Sequence, residues 1–171
     1  MSIIKVNNDK IECPEGPHNA VLAAVYPLGL QPAFKDEKPK HKHAYVFELG
    51  EKIPNGSYAG EPYLISGIFT DSLHEKSRLF SVVCALKGGL TDKEVESGDF
   101  DTDSLIGLGC TVITANTTNA GKTTSTIVSV LKRDNSAPLL TPTIDRSKVP
   151  NWVKRLQDQR LDKPESSDNA A

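Results

Sequence analysis

Five strand-like segments, interrupted once by a helix, constrain the fold of this chain more than any other feature of its sequence. The segments are rich in β-branched and aromatic residues, and the second alternates apolar and polar side chains, which is typical of strands. They cover residues 18–30, 44–49, 61–70, 110–116 and 124–131. Pro27 and Gly29 predict a bulge in the first segment and Gly67 predicts one in the third, since these residues are tolerated in strands mainly where pairing is irregular.

The predicted helix lies between the third and fourth strands. Ser72 and Glu75 have the spacing of a capping box, in which each side chain accepts a hydrogen bond from the backbone amide of the other residue. The helix is therefore expected to begin near Leu73. It is expected to end at Gly88, because glycine readily takes the left-handed conformation that closes a helix. A second capping box at residues 91–94 predicts a very short helix after it.

Five strands with one helix after the third is the order of an OB-fold barrel, so we predict a mainly β protein of that architecture. The expected divisions are an N-terminal arm at residues 1–15, an OB-fold domain at residues 16–133 and a C-terminal tail at residues 134–171. In the tail, Val149, Trp152, Val153 and Leu156 predict a short amphipathic helix that docks on the barrel or on another subunit. The polar end of the tail is expected to be disordered.

The composition argues against several classes of protein. No apolar run reaches the ~20 residues that a membrane-spanning helix needs, and residues 1–10 lack the apolar core of a signal peptide, so we expect an intracellular protein without membrane contact. Cys13, Cys84 and Cys110 are odd in number and far apart, which indicates neither a disulfide framework nor a zinc site. The net charge of -2 argues against nucleic-acid binding through bulk charge. Any such binding needs a local basic patch.

The segment 31–43 is the best candidate for such a patch. Its basic side chains are Lys35, Lys38, Lys40 and Lys42, with His41 and His43, against Asp36 and Glu37. The segment is either a solvated connection between the first two strands or the loop with which OB-folds grip nucleic acid. In a barrel, Lys122 in the turn before the fifth strand would lie near the same face. No residue spacing suggests a metal site, a cofactor or a catalytic constellation, so we expect a non-catalytic protein.

Several short motifs occur together between residues 16 and 132. They are Leu28-Gly29-Leu30-Gln31, Ser72-Leu73-His74-Glu75-Lys76-Ser77-Arg78-Leu79, residues 91–94, Phe100-Asp101, and Leu105-Ile106-Gly107 with Cys110. In this combination and order they resemble a family of bacteriophage and prophage OB-fold proteins that are candidates for single-stranded-DNA binding. The resemblance implies the OB-fold barrel and points to DNA as the ligand.

We therefore expect a non-catalytic single-stranded-DNA-binding protein of phage replication or recombination, acting in the cytoplasm of the host cell. Aromatic side chains on the barrel face would stack on bases while lysines track the phosphates. The candidate aromatics are Tyr26, Phe34, Tyr45, Phe47, Tyr63 and Phe69, of which only some are expected to face the DNA. The tail would contact phage or host replication proteins, and homo-oligomerisation is left open. The alternative is an OB-fold adaptor that binds other proteins and no nucleic acid.

Overall fold

The fold is seen in a computed structural model, which describes residues 12–33, 37–97 and 101–162 and, of Lys122, only the backbone. Within these residues the strands are β1 (Gly16–Gln31), β2 (Lys40–Lys52), β3 (Pro62–Thr70), β4 (Gly109–Asn119) and β5 (Lys122–Lys132). The helices are α1 (Arg78–Lys87), α2 (Asp92–Ser97) and α3 (Asn151–Asp158), with a 3-10 turn at Thr102–Leu105. The prediction of a mainly β fold is confirmed, as is the helical stretch between the third and fourth strands.

The strands form one antiparallel sheet in the order β3-β2-β1-β4-β5. β1 is shared by both halves of the sheet, because its first part pairs with β4 and its longer second part pairs with β2. Register shifts between Leu22 and Ala24 and between Pro27 and Gly29 interrupt the pairing with β2, which confirms the bulge predicted in this strand. β3 and β5 form the two edges of the sheet, and no pairing joins them in the described part of the chain.

The main hydrophobic core lies on the inner face of the sheet, which we define as the face of β2 that carries Tyr45 and Phe47. These two side chains alternate along the strand, as the period of two requires, and both are fully buried. Leu79 and Val83 of α1 pack into the same cluster, so the helix covers this face. Burying one large apolar side chain contributes about 1.5–3 kcal/mol, which makes this cluster the main source of stability.

The start of α1 differs from the prediction. Ser77 is the N-cap, and its hydroxyl accepts a hydrogen bond from the Phe80 amide at 3.1 Å. The Ser72 hydroxyl accepts instead from the His74 amide at 3.3 Å. The Ser77 hydroxyl also donates to the Ser72 carbonyl at 2.6 Å, which closes a turn between the end of β3 and the helix. The capping box predicted at Ser72 is therefore wrong, and the helix begins five residues later than expected.

Other local predictions about the helices are confirmed. α1 ends at Gly88, which is left-handed with a φ of 83°. The capping box of α2 forms as predicted: the Thr91 amide donates to the Glu94 carboxylate at 3.2 Å, and the Glu94 amide donates to the Thr91 hydroxyl at 3.2 Å. No helix in the part of the chain that the structure describes is both long enough and apolar enough to cross a membrane.

Gly67 does not form a bulge, so that prediction is wrong. The pairing of β3 with β2 runs through this residue without a register shift. A Cβ at this position would lie 2.9 Å from the Phe69 ring and 3.1 Å from the terminal methyl group of Ile127 in β5. Glycine is therefore needed because side chains from both edges of the sheet crowd this position, and not because the strand is irregular.

The chain after β5 covers the outer face of the sheet, which is the face of β2 that carries Ala44 and Val46. Val153 of α3 is fully buried against this face and forms a second apolar cluster with it. The Tyr26 hydroxyl, which lies beneath the same segment, donates to the Arg146 carbonyl at 2.9 Å. The predicted amphipathic helix is confirmed, and it docks on the sheet of its own chain.

Candidate nucleic-acid interface

The described lysines of the predicted basic loop lie at the end of the sheet where β1 stops and β2 starts. Lys40 pairs with the last residue of β1, and Lys42 pairs with Gly29. Lys38 and Lys40 are exposed, and Lys42 is half-buried. Because alternate residues of a strand share a face, Lys40 and Lys42 project from the outer face of β2. Lys35 lies outside the described residues.

Arg160 joins these lysines from the other end of the sequence. The chain after α3 crosses the end of β1, where the Leu161 amide donates to the Leu30 carbonyl at 2.8 Å. A Cβ on Gly29 would lie 2.6 Å from the Cδ atom of Arg160, so the arginine packs over the glycine that pairs with Lys42. Arg160 was not predicted as a site residue, because no local pattern shows that the segment carrying it crosses the end of β1. The basic cluster consists of Lys38, Lys40, Lys42 and Arg160.

Asp162 moderates the charge of the basic cluster. Its carboxylate accepts a hydrogen bond from the Leu30 amide at 2.9 Å and lies 3.7 Å from Nδ1 of His41. The Leu30 amide is the main cause that lowers the pKa of Asp162, and the nearby His41 and Arg160 act in the same direction. The carboxylate is therefore anionic at neutral pH. The basic cluster contains four cations, against this carboxylate and Glu37, so its net charge is positive.

The aromatic side chains expected to stack on bases are core residues in this fold. Their exposed fractions are 7% for Tyr26, 0% for Tyr45, 0% for Phe47, 8% for Tyr63 and 3% for Phe69. The rings of Tyr45 and Phe69 pack edge to face with centroids 5.4 Å apart. Both faces of the sheet are covered, one by α1 and the other by the C-terminal segment, so neither face offers these rings to a base. This corrects the stacking role expected of them, while Phe34 lies outside the described residues.

Lys122 lies at the other end of the sheet from the basic cluster. It follows a tight hairpin at Ala120 and Gly121, whose φ angles are 52° and 79°, and this hairpin was predicted. β4 runs past the start of β1 at Gly16, whereas Lys42 pairs near the end of β1. Since a strand advances about 3.3 Å per residue, most of the length of β1 separates the two. Lys122 therefore does not adjoin the basic cluster, which corrects the expectation that it would lie near those lysines.

A pocket of about 420 Å³ opens at the same end of the sheet as the basic cluster, but on the inner side. It is lined by His43, Tyr45, Asp71, Ser72, Leu73, His74, Leu79, Val95 and Thr102. Nδ1 of His43 and a carboxylate oxygen of Asp71 are 2.6 Å apart in its wall. The pocket was not predicted from the sequence, because its walls come from five separate segments: β2, the turn before α1, α1, α2 and the 3-10 turn.

The Tyr45 hydroxyl is the unusual group in this pocket. It is buried and has no hydrogen-bond partner among the described residues. Burial raises the pKa of Tyr45, and the charge of Asp71 raises it further, so the hydroxyl stays protonated and able to donate. In the described ranges, no three His, Cys, Asp or Glu side chains are placed to hold a metal ion. The pocket can therefore offer hydrogen bonds and apolar walls to a ligand.

No protein-family model matches the chain, and no curated protein has a sequence similar enough to count as a match. The residues of the basic cluster and of the pocket therefore carry the functional argument by themselves.

Proposed function

We propose that this chain is a non-catalytic single-stranded-DNA-binding protein of phage replication or recombination, acting in the cytoplasm of the host cell. The observation that carries the proposal is the basic cluster, in which Arg160 packs beside the lysines that open β2. Single-stranded DNA is bound through positively charged surfaces that follow its phosphates. A protein with a net charge of -2 needs such a local concentration of cations to bind DNA at all.

We further propose that the sheet is the partly open barrel of an OB-fold. The strand order, with the helices between β3 and β4, supports this architecture. The crowding of Gly67 by Ile127 supports it as well, because it brings the two edge strands together. Arg78 of α1 spans the same gap, since its guanidinium donates to the Ile127 carbonyl at 3.3 Å and lies 5.3 Å from the centre of the Phe69 ring.

Phosphate contacts, and not stacking on a sheet of exposed rings, are then the main source of affinity. The described sheet aromatics are buried, so base stacking on the strands is not part of the proposal. DNA binding should depend only weakly on the base sequence, because phosphates are the same in every sequence. It should depend strongly on salt concentration, since each neutralised phosphate releases condensed cations. Three or four phosphate contacts give a slope of log affinity against log salt of about -2 to -3.

Fluorescence-anisotropy titration of a labelled oligothymidylate across a salt series tests this function. Replacing Lys40 and Lys42 together by glutamine should weaken binding and make the salt slope shallower by about 1.4, because each phosphate contact on a single strand contributes about 0.7. The matched control replaces Lys52 and Lys132, which are exposed at other places on the sheet, and removes the same charge. Absence of binding at low salt, or an affinity that does not change with salt concentration, would contradict the proposal.

An OB-fold adaptor is the second candidate, and exposed apolar side chains on both edge strands favour it. Leu64 and Ile68 of β3 are 44% and 42% exposed, and Val128 of β5 is 58% exposed. Exposed apolar side chains on the edge strands of a sheet can contact another chain. Light scattering at increasing protein concentration tests this, because such edges should produce assemblies that a Val128→Glu change disperses. A monomer at every concentration would remove the support for this candidate.

A further inference from the structure

The unpartnered hydroxyl of Tyr45 indicates that the pocket at the basic end of the sheet is built for a ligand. The Tyr45 side chain is 0% exposed, and its hydroxyl has no partner among the described residues. Folded proteins pair nearly all buried polar groups, because an unpaired one keeps the full cost of losing water. The ring lies in the pocket wall beside Asp71, so a polar atom brought into the pocket is the natural partner for the hydroxyl.

The polar groups of the pocket define the kind of ligand that fits. The Asp71 carboxylate only accepts hydrogen bonds, and the protonated Tyr45 hydroxyl can donate one. A ligand must therefore present an N–H donor next to an oxygen or nitrogen acceptor, as the edge of a nucleobase does. An anion would be repelled by Asp71, and a metal ion would find too few ligands among the described residues.

The size and walls of the pocket agree with a flat ring. Its volume of about 420 Å³ falls within the range of about 300–1,000 Å³ that small-molecule sites occupy. Leu73, Leu79 and Val95 supply apolar surface on several sides, while Asp71 is held in place by its 2.6 Å contact with His43. Such a site favours a heteroaromatic ring with one polar edge.

A cation near the pocket favours a ring that is attached to phosphates, as a nucleobase of DNA is. Lys76 is exposed in the same turn as His74, which lines the pocket. Lys42 projects from the opposite face of β2, at the same end of the sheet as the pocket. A base that enters the pocket would leave its flanking phosphates near Lys76 and near the end of the sheet that carries the basic cluster. We propose, resting on the proposed function, that the pocket takes one unstacked nucleobase of bound single-stranded DNA, with its edge between the Tyr45 hydroxyl and the Asp71 carboxylate.

The test compares an oligothymidylate with an abasic oligonucleotide of the same length and charge, using the full chain and its Tyr45→Phe variant. The wild-type protein should bind the thymidine oligonucleotide about five- to tenfold more tightly than the abasic one, since one base adds hydrogen bonds and apolar contact. Tyr45→Phe should reduce that preference and leave affinity for the abasic strand unchanged. Tyr63→Phe is the matched control, because Tyr63 is a buried tyrosine of the same core that does not line the pocket.

Thermal unfolding without DNA separates a binding role from a structural one. Tyr45→Phe removes a buried hydroxyl that has no partner, so the variant should be as stable as the wild type or more stable. Lower stability of the variant together with uniformly weaker binding to both strands would overturn the inference. Equal binding of both strands by the wild type would overturn it and leave the proposed function standing. Failure of the wild type to bind either strand at low salt would overturn both.

Discussion

At the scale of single residues, burial decides the chemistry of the cysteines. Cys110 is fully buried, and burial raises the pKa of its thiol to about 12. Burial also raises the pKa of Cys13, whose amide donates to the Ser125 hydroxyl. Cys84 is only half-buried on α1. Cys84 is therefore the more accessible thiol and Cys110 the less accessible one.

We predict that iodoacetamide modifies Cys84 well before Cys110 in the folded protein at pH 8. The thiolate is the reactive form, and a thiol with a pKa of about 12 is almost entirely protonated at that pH. The raised pKa also means that Cys110 favours folding below the ordinary thiol pKa of about 8.5, and that this contribution is lost as the pH rises toward the folded value. Peptide mass spectrometry over a time course measures both sites, and Cys84→Ser provides the control. Equal rates at the two sites in native protein would contradict the prediction.

At the scale of elements, the position of α1 shows how tertiary constraints select between two local signals. Ser72 begins the better capping pattern in the sequence, because Glu75 follows at the required spacing. Yet the Asp71 amide is held by the His41 carbonyl at 2.8 Å, which extends the contact of β3 with β2 to this point. The chain needs a turn before it can cross the inner face, so the helix starts at the next serine, Ser77.

We predict that Ser77→Ala lowers the free energy of unfolding by about 1 kcal/mol, as loss of an N-cap does. Ser72→Ala should lower the free energy of unfolding by less, because the Ser72 hydroxyl accepts a longer hydrogen bond, 3.3 Å, from the His74 amide within a turn. Urea denaturation of the two variants, followed by circular dichroism, compares them directly. If Ser72→Ala lowers the free energy of unfolding more than Ser77→Ala does, the prediction is contradicted and the helix starts near Leu73.

At the scale of the whole molecule, the C-terminal segment is part of the folded unit. It covers the outer face of β1 and β2, and several of its hydrogen bonds span more than 100 positions in the sequence. Among these, the Gln31 side chain donates to the Leu156 carbonyl at 2.8 Å, and the Gln157 side chain donates to the Pro27 carbonyl at 2.8 Å. The same docking brings Arg160 to the basic cluster. A protein that loses this segment should therefore lose part of the proposed DNA contact as well.

We predict that Val153→Asp destabilises the protein by about 3 kcal/mol or more, because an unpaired charge would be buried in the second apolar cluster. Lys154→Asp, at the exposed neighbouring position, should have little effect and is the matched control. Thermal unfolding measures the loss, and binding of the dye ANS reports whether the outer face becomes exposed. Similar behaviour of the two variants would mean that α3 is not docked in solution.

The sequence by itself determined the local elements of this protein. Alternating and β-branched residues located the five strands, Pro27 and Gly29 marked the bulge, and a capping box marked α2, because each signal depends on residues close together in the chain. Only the tertiary structure decided which faces of these elements are free. Whether Phe47 meets a base or a core depends on how α1 packs over the sheet. Whether Arg160 stands beside Lys42 depends on a segment more than 100 residues away along the chain. No local pattern encodes where such segments will dock.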